Sequence, residues 1–156
     1  MKEHGIGSYE ELLDRCEVAS ASAARLKADL RDTGAKIDEL ALKMKHVAAY
    51  RQLKPIYDRY KASRDKEKFL RGHESEIILF EAAARECKRL GAVSLPATER
   101  MQAEIDELNA RKAILKAELQ KAQRKEQDYA AMRQNVEDFL FPPQPEQERK
   151  KNVELE

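Results

Sequence analysis

Three histidines, two cysteines and a dense run of lysines and arginines are the residues of this chain whose types could do chemistry. Histidine binds metals or moves protons when a second ligand or a carboxylate lies within reach. His4, His46 and His73 are too widely spaced for two of them to share one helical turn. His73-Glu74 opens like the zinc-protease motif, but the second histidine of that motif would fall on Ile77. Gly5-Ile6-Gly7 lacks the third glycine and the Lys-Ser/Thr pair of a phosphate loop, so it reads as a helix stop followed by a helix start. Glu10-Glu11 and Asp106-Glu107 are acidic pairs of the kind that solvated helix faces carry. Cys16 and Cys87 have neither a C-x-x-C spacing nor a metal pattern, and their use as small packed hydrophobes fits a reducing compartment. These patterns predict a chain that is not an enzyme, with no catalytic residue, no metal and no cofactor.

The cationic run is different. The formal net charge is only +1, from 30 basic and 29 acidic residues, but it is unevenly spread. Residues 1–40 hold 6 basic and 9 acidic groups, whereas residues 41–71 hold 10 basic and 3 acidic. Lys54, Arg59, Lys61, Arg64, Lys66, Lys68 and Arg71 cluster there, interleaved with Tyr57, Tyr60 and Phe69. Phosphate backbones attract such clusters, and exposed aromatics stack on bases. Lysine and arginine also shield apolar stems on ordinary solvated faces. Three uses therefore stay open for the segment: nucleic-acid binding, contact with a protein or anionic surface, and plain solvation. Anionic lipid is the weakest of these, because no helix sets exposed Trp, Phe or Leu opposite its Lys and Arg.

The elements that must carry these residues are helices. The chain has 156 residues, the size of one domain; 38% are charged, 6% are aromatic, and glycine and proline contribute five each. Few turn residues and abundant Ala, Leu, Glu, Lys and Arg exclude a sheet-rich fold. No apolar run approaches the roughly 18 residues of a membrane span, and no leader peptide is visible, which predicts a cytoplasmic protein. Ser8 is a natural N-cap, with Glu11 completing a capping box. From there Leu12, Cys16, Ala19, Ala23, Leu26, Leu30, Thr33, Ile37, Leu40, Met44 and Val47 follow a regular heptad seam. Pro55 predicts a kink or a restart. The first long helix is placed at about 9–54, the tip at about 55–95 and the last long helix at about 97–140. Within the tip a short helix around 66–71 and a second over 74–90 are expected, ended by Gly91. Lys112 and Glu126 interrupt the apolar face of the last helix, and Phe141-Pro142-Pro143 stops it. Residues 142–156 are charged and expected to be disordered, which leaves 1–141 as the helical domain. Residues 2–5 resemble the last turn of an upstream helix, and Leu155-Glu156 reads as vector-derived, so a piece of a longer protein is expected.

Two helices of equal length, each with one apolar stripe, are best satisfied by an all-α antiparallel hairpin, a coiled coil capped by a short helical tip. A parallel dimer of the first helix would stack Ala19, Ala23 and Thr33 on themselves. The expected pairing sets Ala23 by Tyr129, Thr33 by Leu119, Ile37 by Leu115 and Val47 by Ile105. Tyr50, Leu53, Tyr57, Tyr60, Phe69, Ile77, Phe80, Leu90, Val93 and Leu95 are the expected tip core, and Cys16 and Cys87 are too far apart to bond. Whether the open base also pairs two copies into a homodimer stays open.

The string is also similar to a known family. His4-Gly5-Ile6-Gly7-Ser8-Tyr9-Glu10-Glu11-Leu12, the Tyr57 to Tyr60 spacing, and Phe69 followed by His73-Glu74 and Glu76-Ile77-Ile78-Leu79 carry the resemblance. Ala82-Ala83, Leu90-Gly91, Leu95-Pro96 and Asn135-Val136 continue it in the same order to about residue 140. Together they resemble the helical region downstream of the catalytic domain in relaxase/mobilisation nucleases of conjugative and mobilisable elements. Residues 62–68 depart from the family pattern, which carries a Gly-Tyr pair there. The family's tyrosine nucleophile and histidine-bound metal belong to the upstream nuclease domain, so no catalytic residue carries over. What the resemblance implies is an accessory role: binding transfer DNA, single- or double-stranded, or contacting relaxosome and transfer-machinery proteins. The competing reading is a coiled-coil spacer or protein-interaction module without DNA affinity.

Overall fold

A computed structural model describes residues 4–92 and 95–143 of the chain. Three helices account for nearly all of them: α1 (Tyr9–Ala62), α2 (Lys66–Arg89) and α3 (Thr98–Leu140). There is no strand among the described residues. The protein is all-α, as its composition requires. The expected disorder of the tail, the reading of Lys2 and Glu3, and Val93 of the tip core lie outside the described residues, apart from Pro142 and Pro143.

The helix ends are set by local chemistry. The Ser8 hydroxyl accepts the Glu11 N–H at 3.1 Å, while the Glu11 carboxylate reaches back to the Gly7 N–H at 2.9 Å. This is a capping box displaced by one residue, because the carboxylate satisfies Gly7 and not Ser8 itself. Gly5 has a φ of +65°, a conformation glycine adopts without steric cost. At the start of α2, the Asp65 carboxylate accepts the Lys68 N–H at 3.1 Å. At its end, Gly91 takes a φ of +72°. The Ala92 N–H then bonds to the Cys87 carbonyl at 2.8 Å and the Gly91 N–H to the Lys88 carbonyl at 3.2 Å. Those two bonds make a Schellman motif.

Two expectations about continuity change. α1 does not stop or restart near residue 54; it runs unbroken through Pro55 to Ala62. Proline removes one ladder donor, but Tyr50 and Tyr57, on either side of it, both pack on Phe80 of α2. The packing holds the helix across the missing bond. In the tip, the two expected short helices form one element, with the break retained at His73, whose φ of −135° and ψ of 22° are non-helical.

The chain forms two compact units, one from residues up to Asp29 with those from Leu115 onward, the other Leu30–Ile114. In the first unit α1 and α3 segments pack antiparallel. Ile6, Leu12, Ala19 and Tyr129 form its buried core, with Tyr9, Cys16, Met132 and Val136 around them. Polar links close the seam: the Tyr9 hydroxyl donates to the Glu137 carboxylate at 2.8 Å, and the Cys16 thiol to the Tyr129 carbonyl at 3.5 Å. The pairing holds Glu137 below the usual carboxylate range, first through Arg133 and then through Tyr9, and raises the Tyr9 phenol, chiefly through Glu137.

The second unit adds α2 to antiparallel segments of α1 and α3. Val47, Cys87, Ala92 and Met101 form a buried cluster, flanked by Met44, Tyr50 and Leu95. Arg51 pins the crossing that leads to α3 by donating to the carbonyls of Leu95 at 2.6 Å and Pro96 at 3.2 Å. Leu95 has a φ of 45°, which a leucine rarely adopts, so its carbonyl is held where its own backbone preference would not place it.

The register differs from the expected one by about a heptad. Tyr129 lies against Cys16 and not against Ala23. A seam that repeats every seven residues keeps every apolar position on the seam after such a slip, so periodicity cannot choose between the two. The polar interruption does. The Lys112 ammonium lies where a Cβ on Gly34 would be 3.9 Å from it. Lys112 therefore crosses the seam at the one α1 position without a side chain. In the expected register it would have met the seam leucine Leu40.

Candidate nucleic-acid interface

All seven basic residues singled out in the sequence fall in the second unit and all are exposed. Lys54, Arg59 and Lys61 lie on the last turns of α1, Arg64 on the connection, and Lys66, Lys68 and Arg71 on the first turns of α2. The α1–α2 turn brings them together. Ser63 closes α1 with an N–H bond to the Tyr60 carbonyl at 3.2 Å, and its hydroxyl donates to the Asp65 carbonyl at 3.1 Å.

Their charges are not equally available. Lys54 is paired with Asp58 at 2.9 Å, and that hydrogen bond raises its pKa. Arg71 is 3.8 Å from Glu67, with both groups almost fully solvated. Among the described residues, Arg59, Lys61, Arg64, Lys66 and Lys68 have no carboxylate partner. Two of these five rest on aromatic faces: Arg59 is 5.9 Å from the Phe69 ring centre and Lys61 is 5.2 Å from that of Tyr57. Such contacts hold a cation in place without neutralising it.

The aromatics beneath them form a continuous string. Tyr50 meets Phe80 at 4.8 Å, Phe80 stacks on Tyr57 at 4.3 Å, Tyr57 meets Tyr60 at 6.0 Å, and Tyr60 meets Phe69 at 6.2 Å. Phe69 then stacks on His73 at 4.5 Å. These rings were expected to be the tip core. Ile77 and Phe80 are buried, but Tyr50, Tyr57, Tyr60 and Phe69 are only half-buried. The buried cluster of this unit is Val47, Cys87, Ala92 and Met101.

By sequence, His73 lacks the second histidine that a metal motif would need at position 77. It is in fact the outer end of the aromatic string. Its Nδ1 lies 2.9 Å from the Glu76 carboxylate, which accepts, so Nδ1 carries the proton. The spacing of Phe69 and His73, four residues apart on one helix, was the signal for this stack. Arg51 belongs to the same basic stretch but is committed to holding the α3 crossing. Elsewhere, Cys16 and Cys87 are both free thiols, and burial pushes the Cys87 thiol up. No three His, Cys, Asp or Glu among the described residues gather into a metal site, and no helix there is long and apolar enough to cross a membrane.

Comparison with known proteins finds no matching family model, no matching curated protein and no matching solved structure.

Proposed function

We propose that this chain is a non-catalytic accessory domain that binds nucleic-acid phosphates with its α1–α2 junction, serving DNA transfer in a mobilisation relaxase. The observation that carries the proposal is the set of five cations, Arg59, Lys61, Arg64, Lys66 and Lys68, exposed around one turn without carboxylate partners. A solvated face normally distributes both signs along itself, as α3 does with Arg133 and Glu137. Five unpaired cations repel one another and are favoured where a polyanion neutralises them. The resemblance of the sequence to the helical region of relaxases supplies the transfer context.

Fluorescence anisotropy with labelled single- and double-stranded DNA tests the proposal. Affinity should fall steeply between low and physiological salt, because each phosphate contact releases a counterion. Changing Arg59, Lys61, Arg64 and Lys68 together to Glu should abolish binding while the helical circular dichroism is retained. Absence of binding by the wild type at low salt would remove the role.

A second reading is favoured by a different observation. Phe139 and Phe141 are exposed at 84% and 74%, at the end of α3 in the first unit. Large exposed apolar residues so close together support a protein-contact arm. Pull-down with transfer-machinery components, with and without Phe139→Ser and Phe141→Ser, distinguishes it from the first.

A further inference from the structure

A recess of about 350 Å³ lies at the α1–α2 junction, with Arg59, Asp65, Lys68, Phe69 and His73 in its wall. We infer that it takes a single unpaired nucleobase bearing an exocyclic amino group, as cytosine, adenine and guanine do and thymine does not, while the flanking phosphates lie on Arg59 and Lys68. This deepens the phosphate-binding reading above and rests on it.

The argument starts from a mismatch of charge. A recess meant for a phosphate would be lined by donors alone. This one has Asp65 in its wall, with its carboxylate held in place because Oδ1 caps the start of α2 at the Lys68 N–H. A carboxylate repels a phosphate and accepts from an amino group, as Asp and Glu do from the cytosine amino group. The bond between His73 Nδ1 and the Glu76 carboxylate fixes the orientation of the ring in the wall. Phe69 and His73 are stacked at 4.5 Å, and a flat ring lying on His73, the outer end of the aromatic string, would extend that stack. The cations supply the rest. Arg59 is positioned by Phe69 at 5.9 Å, and Lys68 projects from the turn that Asp65 caps.

Stacking decides strandedness. A base inside a duplex has both faces covered by its neighbours, so only an unpaired base can lie against the His73 ring. The volume of the recess lies at the low end of the roughly 300–1,000 Å³ typical of small-ligand sites, enough for one base. Thymine, which lacks an exocyclic amino group, would offer Asp65 only its ring N3–H.

Anisotropy competition at one low salt concentration, using short oligodeoxycytidine, oligodeoxyadenosine, oligothymidine and a mixed duplex, tests the inference on the full chain. The amino-bearing strands should bind about three- to tenfold more tightly than oligothymidine, the discrimination that one net hydrogen bond provides, and more tightly than the duplex. Asp65→Asn retains the helix cap, since Asn caps as well as Asp, and should bring the cytidine-to-thymidine ratio close to one. His73→Gln should weaken all single strands and leave the duplex unchanged. Equal affinity for all three strands and the duplex would overturn the inference while leaving phosphate binding intact. An Asp65→Asn protein that keeps the base preference would overturn it too. Failure of the wild type to bind any of the four would overturn both.

Discussion

The two units are stabilised by different means. In the unit of α1 and α3 segments alone, two helices enclose a thin core, and polar side chains complete the closure: Tyr9 on Glu137, Glu137 on Arg133, Cys16 on the Tyr129 carbonyl. In the unit that includes α2, a third helix supplies Ile77, Phe80, Ala83 and Cys87 as buried residues. Apolar and aromatic contact carries the packing there, and Ser63 and Asp65 hold the α1–α2 turn while Arg59, Lys61, Arg64, Lys66 and Lys68 stand around it without carboxylate partners among the described residues. The cations of the two units differ in placement: Arg25, Lys27, Lys121, Arg124 and Lys125 of the first unit are exposed along its helices among acidic residues, whereas Arg59, Lys61, Arg64, Lys66 and Lys68 surround one turn.

The largest effect that would break this contrast is expected at Phe80. Phe80→Ala removes the ring on which both Tyr50 and Tyr57 pack and should destabilise the second unit by about 3–5 kcal/mol. Native-state hydrogen exchange should register the loss in α2 and leave amides near Tyr9 and Tyr129 less affected. Ser8→Ala removes the acceptor for the Glu11 N–H and should cost about 1 kcal/mol, read by urea denaturation.

Acid should also weaken the first unit. The folded Glu137 carboxyl is held below its ordinary value by Arg133 and Tyr9. Its stabilising contribution is therefore complete above the unfolded value, about 4.3, and is lost as pH falls through the lower folded value. Tyr9 is shifted upward, so its contribution is present below about pH 10 and is lost as pH rises through the raised value. Thermal unfolding followed across pH should thus weaken at both extremes, and Tyr9→Phe should flatten the alkaline limb.

The smallest change should be an improvement. Gly72 has no positive φ, and a Cβ there would meet nothing within 4 Å. Gly72→Ala should stabilise the second unit by about 0.5–1 kcal/mol through helix propensity. Urea midpoints read the gain.

Much of this was legible in the residues. The seam from Leu12 to Val47, the Ser8 cap, the Gly91 stop and the break near residue 73 all follow from local chemistry that a sequence displays. So does the gathering of cations, because Lys54 to Arg71 span a single helix–turn–helix junction. Three features were not legible, for physical reasons. The register was hidden by the seven-residue period, which makes a one-heptad slip invisible until Lys112 meets Gly34. The passage of α1 through Pro55 depends on Phe80, a residue of another helix, and no local signal reports that contact. The recess depends on how the α1–α2 turn folds back, which brings Arg59 of α1 to the same wall as Asp65, Phe69 and His73 and which no local signal reports.

The central claim is that binding belongs to the α1–α2 junction, where five cations gather around one turn. A chemical-shift titration of the isotope-labelled chain with short single-stranded DNA tests it most directly, since it places contacts residue by residue. The account predicts salt-sensitive shifts at Arg59–His73, with amides of Tyr9–Asp29 and Leu115–Leu140 unmoved. Shifts centred on Phe139 to Phe141, or shifts absent throughout at low salt, would contradict it.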